Sequence, residues 1–222
     1  MEELKQKIKR NPNWFSNITE RDKVVSFNGK KYLILDDSVQ YIGSWSGTIR
    51  LKDMETEKVY IIKVMRSKFL TTESDIAPMD RFLLEVAYQK MAEPVSTSIF
   101  SYGMSKTFFN LPCFDADQIL YIWMEYGGVS LREYLETDYS NASLLCQQAV
   151  EKYQALAKKG FLMEDISLDN MVIDTNGTIK IIDFDPLLIK IDESISTDIH
   201  DEEIVEQFEI YVPNFKQFVN ES

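Results

Sequence analysis

The chain has 222 residues, with 24 Lys and Arg against 36 Asp and Glu, a formal net charge of −12 and 45% apolar residues. A chain of that size and apolar content can bury a core as one large domain or two small lobes, so a disordered or fibrous protein is excluded. No apolar run approaches the ~20 residues of a membrane-spanning helix, net acidity opposes a general nucleic-acid-binding surface, and two cysteines with one histidine exclude a disulfide framework or a His-built metal site.

In chain order, residues 2–10 read as a short amphipathic helix stopped near Asn11-Pro12, without the apolar stretch of a signal peptide. Val24–Phe27 and Lys31–Leu35 flank Asn28-Gly29, a strong hairpin signal because Asn-Gly accepts positive φ at both turn positions. Strands follow around Gln40–Ile42, Thr48–Leu51 and Val59–Val64, the last two joined by a turn over Asp53–Lys58. A helix from about Met79 to Ala92 ends before Pro94, and its apolar residues Phe82, Val86, Tyr88 and Met91 fit helical spacing only roughly. Ile99–Met104 and Ile119–Met124 read as strands, and Gly127-Gly128 breaks the chain.

Ser130 starts a short helix to Leu135. The clearest helix is Ser143–Lys159, with Leu145, Ala149, Tyr153 and Leu156 in one stripe and Gly160 ending it. Met171–Ile173 and Ile179–Ile182 form a second hairpin around Asn176-Gly177, and a last helix covers about Asp201–Tyr211. A strand-rich half followed by a helical half predicts an α+β chain of two lobes, joined near residues 125–128.

Charge is unevenly placed. Residues 1–31 hold eight basic and four acidic side chains, whereas 192–222 hold nine acidic ones and one basic, Lys216. The acidic stretch reads either as a solvated helix face or as a docking surface for a basic partner. His200 lies within it and reads as solvated. Cys113 and Cys146 read as two buried thiols in a reducing compartment.

The chemistry concentrates in Phe161–Ile173. Asp165 is followed five residues later by Asn170, and Asp183 stands at the end of the second hairpin. An Asp, an Asn and a second Asp converging at loop ends make an oxygen-rich site suited to Mg²⁺. Asp165 can accept a proton from a substrate hydroxyl while Asn170 and Asp183 hold metal and phosphate.

On these residues the sequence resembles the protein-kinase-like superfamily. Asp165 to Asn170 matches the catalytic-loop spacing Asp-x-x-x-x-Asn, and Asp183-Phe184-Asp185 stands where the family has Asp-Phe-Gly. Val59-Tyr60-Ile61-Ile62-Lys63 resembles the strand with the phosphate-binding lysine, Glu85 sits where its glutamate partner belongs, and Met124-Glu125-Tyr126-Gly127-Gly128 looks like the hinge. The resemblance spans about residues 38–190. It implies a β-rich N-lobe (38–126) with one main helix, preceded by an extension (1–37) with a helix and an extra hairpin. A shortened helical C-lobe (127–222) with an acidic C-terminal helix completes the expected fold.

The resemblance further implies ATP and Mg²⁺ as cofactors. Asp165, Lys63 and Glu85 would be catalytic, and Asn170 and Asp183 would hold the metal. Gly43, Ser44, Gly47 and Ile49 would cover the phosphates. Ile61, Met124, Glu125, Tyr126 and Val172 would surround the adenine.

Departures from the pattern are equally specific. The phosphate-covering loop keeps only part of its glycines and carries Trp45 near its tip. Ile61 replaces a small residue and predicts a tighter pocket. Met163-Glu164 replaces His-Arg, and Glu164 would repel an activation-loop phosphate. Ser167 replaces a lysine, and Asp185 replaces a glycine, either as an added carboxylate near metal or as a turn residue.

Residues 184–222 leave no room for an activation segment, an Ala-Pro-Glu anchor and later helices, so the chain resembles the minimal kinases of secreted bacterial effectors and large viruses. That implies a virulence effector, cytoplasmic or secreted into a host cell, acting on or with a host protein and either constitutively active or activated by a bound protein partner. Two alternatives stay open: a kinase-fold binding module that no longer transfers phosphate, and a small-molecule phosphotransferase.

Overall fold

The computed structural model describes residues 24–27, 29–35, 46–66, 76–105 and 119–211. The helix expected over 2–10, Asn28, the strand around Gln40–Ile42, Gly43, Ser44, Trp45 and Cys113 lie outside the described residues. The chain divides into two units, one of Met1–Phe82 with Ile99–Tyr126, the other of Leu83–Ser98 with Gly127–Ser222.

In the first unit, alternating apolar residues build one antiparallel sheet. Its strands are β1 (Val24–Phe27), β2 (Lys30–Ile34), β3 (Ser46–Asp53), β4 (Val59–Arg66), β5 (Ile99–Ser105) and β6 (Ile119–Glu125), in the order β1-β2-β3-β4-β6-β5. Because β2 pairs with β3 through Ile34↔Leu51, the hairpin assigned to an extension is two strands of this sheet. One face carries Val25, Tyr32, Ile34, Ile49, Leu51, Ile62, Val64 and Trp123 as a buried cluster. Aromatic edges close it, with Tyr32 and Trp123 ring centres 4.9 Å apart at 70°. The β3–β4 turn is fixed by Asp53, whose Oδ1 accepts the backbone N–H groups of Glu55 (2.8 Å) and Thr56 (3.1 Å). Those bonds, Thr56 first, hold its carboxyl below the usual range.

Helix α1 (Pro78–Ala92) begins in the first unit and passes into the second at Leu83. Its buried residues are Phe82, Glu85, Val86, Gln89 and Ala92, one stripe at helical spacing. Two members are polar, which is why an apolar periodicity fits this helix only roughly. Gln89 Nε2 donates to the Thr97 carbonyl and hydroxyl, both at 2.9 Å. Lys159 Nζ donates to the Met91 and Glu93 carbonyls at 2.8 and 2.6 Å, giving the orphan carbonyls of the helix end a cationic partner.

The second unit continues with β7 (Val129–Ser130), α2 (Leu131–Thr137), α3 (Ala142–Ala157), β8 (Phe161–Met163), β9 (Met171–Ile173), β10 (Ile179–Ile181), β11 (Ile189–Ile191) and α4 (Asp201–Glu209). Ser130 caps α2 by accepting the Glu133 N–H at 3.2 Å. Helix α3 buries the predicted stripe Leu145, Ala149, Tyr153 and Leu156, with Cys146 beside it, against a core that also takes Phe161, Ile166, Phe184, Ile204 and Phe208. Burial pushes the Cys146 thiol up to about 12, so it is no nucleophile near neutral pH.

Two small sheets, β10-β9-β7 and β11-β8, carry the loops of interest. β7, β8 and β11 were not expected as strands. Two or three residues show no periodicity, and their pairing partners lie far along the chain. Among the described residues, no helix is long and apolar enough to cross a membrane. The fold is α+β and protein-kinase-like.

Candidate functional site

The loop after β8 places Asp165 at the surface, and its geometry is set by Asn170. Asn170 Nδ2 donates to Asp165 twice, to the backbone carbonyl at 3.2 Å and to Oδ2 at 3.0 Å. Both partners are acceptors, so the amide nitrogen must face them and Asn170 Oδ1 is left as a free-standing oxygen donor. The Asn170 carbonyl in turn accepts the Ile182 N–H at 2.9 Å. That bond extends the β9–β10 ladder by one rung and brings Asp183 beside Asn170. Hydrogen bonds thus join Asp165 to Asn170 and Asn170 to Ile182, the residue before Asp183.

Asp183 is exposed and adopts φ +63, a left-handed conformation that Asp tolerates better than most non-glycine residues. Phe184 turns the other way. It is fully buried and meets Phe161 edge to face at 6.2 Å, anchoring the loop that displays Asp183. Asp185 is a turn residue: its Oδ1 accepts the Leu187 N–H at 3.1 Å and its carbonyl accepts the Leu188 N–H at 2.9 Å.

The donors fit Mg²⁺. Asn170 Oδ1 and the Asp183 carboxylate are hard oxygens, and Mg²⁺ bound by one or two protein oxygens completes its shell with water and phosphate. Among the described residues, no cluster of three or more His, Cys, Asp or Glu is grouped to hold a metal.

The substituted loop positions have local partners. Glu164 forms an ion pair with Lys190 of β11, and its N–H donates to the Leu188 carbonyl at 2.8 Å. Ser167 Oγ accepts the Asp169 N–H at 3.2 Å, so it shapes the loop. Arg132 of α2 donates through Nε to both Asp169 oxygens at 2.9 Å, which raises the Arg132 pKa. The pair is exposed, so Arg132→Ala is expected to cost under about 1 kcal/mol in a thermal or urea melt.

Glu85 is 1% exposed within the α1 stripe, and Lys63 is 8% exposed on β4 in the first unit. Directly paired residues share a sheet face. Lys63 pairs with Thr48 and Ile122, and Ile61 pairs with Arg50 and Met124, so Ile61, Lys63 and Met124 lie on one face. Ile49 does not join them. It pairs with Ile62 and is buried in the opposite cluster. The strand period of two turns Ile49 away from the face of Lys63, where Thr48 and Arg50 stand. Gly47 pairs with Val64 and Glu125 with Tyr60. Arg50 lies 5.9 Å over the Tyr126 ring.

Val172 is buried on β9, pressed against the chain break. A Cβ on Gly127 would meet Val172 Cγ2 at 2.4 Å, and one on Gly128 would meet the Ile173 carbonyl at 1.7 Å. The glycine pair is a packing requirement of β7 on β9.

Two groups on the tail were missed. His200 is 4% exposed, not solvated. Its Nε2 accepts the Met163 N–H at 3.3 Å, and its ring meets Tyr153 edge to face at 5.8 Å. Burial lowers its pKa from the ordinary 6.5, against a smaller opposite pull from Asp201. No sequence pattern marks a histidine whose partner is a backbone amide 37 residues away. Gln207 of α4 also reaches the loop, accepting the Leu168 N–H at 2.9 Å and donating to the Ile166 carbonyl.

The histidine has a pH consequence. Its folded pKa lies below the unfolded one, so the unfolded state takes up the extra proton. The stability is complete above about pH 6.5 and is lost as pH falls from there toward the folded pKa. Glu203, pushed up by burial and then by the charge of Asp165, acts in the opposite sense at lower pH. A comparison with His200→Gln isolates the histidine. Wild type should lose melting temperature between about pH 6.5 and 5 more steeply than the variant. Equal slopes would show that His200 is not buried neutral.

No protein-family model matches the chain. Among curated proteins, 3-phosphoinositide-dependent protein kinase 1 of Arabidopsis thaliana is 27% identical over 150 residues, which is 64% of this chain and 28% of that protein. Mitogen-activated protein kinase kinase kinase 3 of Arabidopsis thaliana is 39% identical over 69 residues, 29% of this chain and 12% of that protein. The matches span less than a third of either relative's length. With the fold, these similarities support a protein-kinase-like superfamily for this chain.

Proposed function

We propose that the chain is an ATP- and Mg²⁺-dependent protein kinase that transfers the γ-phosphate to a protein hydroxyl. The observation that carries this reading is the Asn170 bridge. One side chain orients Asp165, and its own backbone carbonyl holds the strand end that displays Asp183.

In this reading Asp165 takes the proton of the acceptor hydroxyl as its oxygen bonds to the γ-phosphorus and ADP leaves. Asn170 and Asp183 would hold Mg²⁺, which when bound neutralises phosphate charge. Lys63 and Glu85 keep the roles that the sequence resemblance gives them, a fixed positive charge for the phosphates and its carboxylate partner. Asp165 needs no long proton relay, because it is itself exposed at the loop surface.

The finer reading is a minimal kinase acting as an effector on or with a host protein and activated by a bound partner. It rests on the resemblance to minimal kinases and on Glu164, which stands where an arginine would grip an activation-loop phosphate. Glu164 is engaged by Lys190, which suits control by something other than phosphorylation of that loop.

The test is γ-labelled ATP with Mg²⁺, offered with cell lysate and separately with a library of small hydroxyl metabolites. Label on protein, stimulated by lysate, supports the proposal. Label on a metabolite alone supports a small-molecule phosphotransferase. Nucleotide binding without transfer to either supports a binding module.

A further inference from the structure

The loop from Asp165 to Asn170 has an internal problem. Ile166 and Leu168 are buried, so their backbone groups cannot rely on water and must find partners inside the protein. The loop is not a strand and has no ladder to supply them. The Leu168 carbonyl accepts the N–H of Arg132 at the start of α2, at 3.3 Å. The Leu168 N–H and the Ile166 carbonyl both go to one side chain, Gln207 of α4. A primary amide offers an acceptor and a donor side by side, and here it completes a two-bond clamp on a segment lying directly between Asp165 and Asn170.

Helix α4 is itself fixed. Ile204 and Phe208 are fully buried in the unit's core, and Gln154 Nε2 of α3 donates to Asp201 Oδ2 at 2.9 Å. Gln207 therefore presents its amide from a docked element, as positioning of a reactive loop requires.

We infer that Gln207 is a positioning residue for phosphoryl transfer, and that its amide sets the spacing of Asp165 and Asn170 by clamping Ile166 and Leu168. This rests on the kinase reading above. The clamp acts on the loop geometry and touches no nucleotide, so its loss reduces turnover while nucleotide affinity stays. An error of about 1 Å in a reacting group is enough to cost ~10²-fold in rate.

The experiment compares wild type with Gln207→Met, which keeps the length of the side chain and removes both bonds. Amide exchange at Leu168 is read together with kcat and the KM for ATP in the transfer assay. The clamp predicts at least about tenfold faster Leu168 exchange. It also predicts a kcat lower by about tenfold or more, with KM for ATP within about twofold.

Faster exchange with unchanged kcat overturns the positioning role, and so does a change confined to KM. A Leu168 amide that exchanges in wild type as freely as exposed-loop amides overturns the clamp, even if the variant does not fold. If wild type transfers no phosphate at all, the kinase reading fails, and the exchange data still decide whether the clamp exists.

Discussion

Asp165→Asn should reduce phosphoryl transfer by about 10²–10⁴-fold, the range expected for removal of a general base. The fold should be unaffected. Asp165 is exposed, and surface substitutions away from special features usually stay within about 0.5 kcal/mol. Asparagine still offers an oxygen to Asn170 Nδ2, so the 3.0 Å bond that orients Asn170 survives in kind. Mg·ATP binding should therefore persist. Calorimetric titration with Mg·ATP, a thermal melt and a transfer assay on the same preparation separate these effects. A variant that binds and transfers like wild type would remove Asp165 from the mechanism.

Gly128→Ala should unfold the second unit or come close to it. Gly128 has φ +110, a conformation that disfavours any Cβ. The added methyl would sit 1.7 Å from the Ile173 carbonyl oxygen. The obstacle is backbone of β9, paired with both β7 and β10, so no side-chain rotation relieves it. A loss above about 4 kcal/mol is expected, in the range reserved for a specific structural break. Urea denaturation or soluble yield reads it. A melting point within about 2 °C of wild type would mean that β7 does not pack on β9 as described. Since β9 follows the Asp165–Asn170 loop and pairs with the strand leading to Asp183, the glycines brace the site from behind.

How much of this was legible in sequence depends on how local each signal is. Helix α3 was legible because Leu145, Ala149, Tyr153 and Leu156 repeat at helical spacing, and the Asp165–Asn170 spacing marked the loop because five residues fix its length. The hairpin at Gly177 was legible from its turn residues. Glu85 and Gln89 blurred the periodicity of α1, because a polar residue can be buried when its partners are arranged in space, as Thr97 is for Gln89.

Which sheet face Ile49 takes was not legible, since it depends on strand register. In a strand a slip of one residue exchanges the two faces, and degenerate glycines leave nothing to fix the alignment. His200 and Gln207 were illegible for a different reason. Their partners are backbone groups 37 and 39 residues away, and a backbone amide carries no side-chain signature. The acidic tail read as a charge pattern, yet its contribution to the loop comes from an uncharged amide on the same helix.

The most direct measurement is γ-labelled ATP with cell lysate and Mg²⁺, wild type beside Asp183→Asn. Asparagine is at home at the φ of +63 that residue 183 adopts, so the variant should fold and differ only by the lost carboxylate. Protein label with wild type and its loss with Asp183→Asn is the predicted result. A labelled band that persists undiminished in the variant would contradict a metal- and phosphate-holding role for Asp183, and with it the kinase site built on Asp165, Asn170 and Asp183.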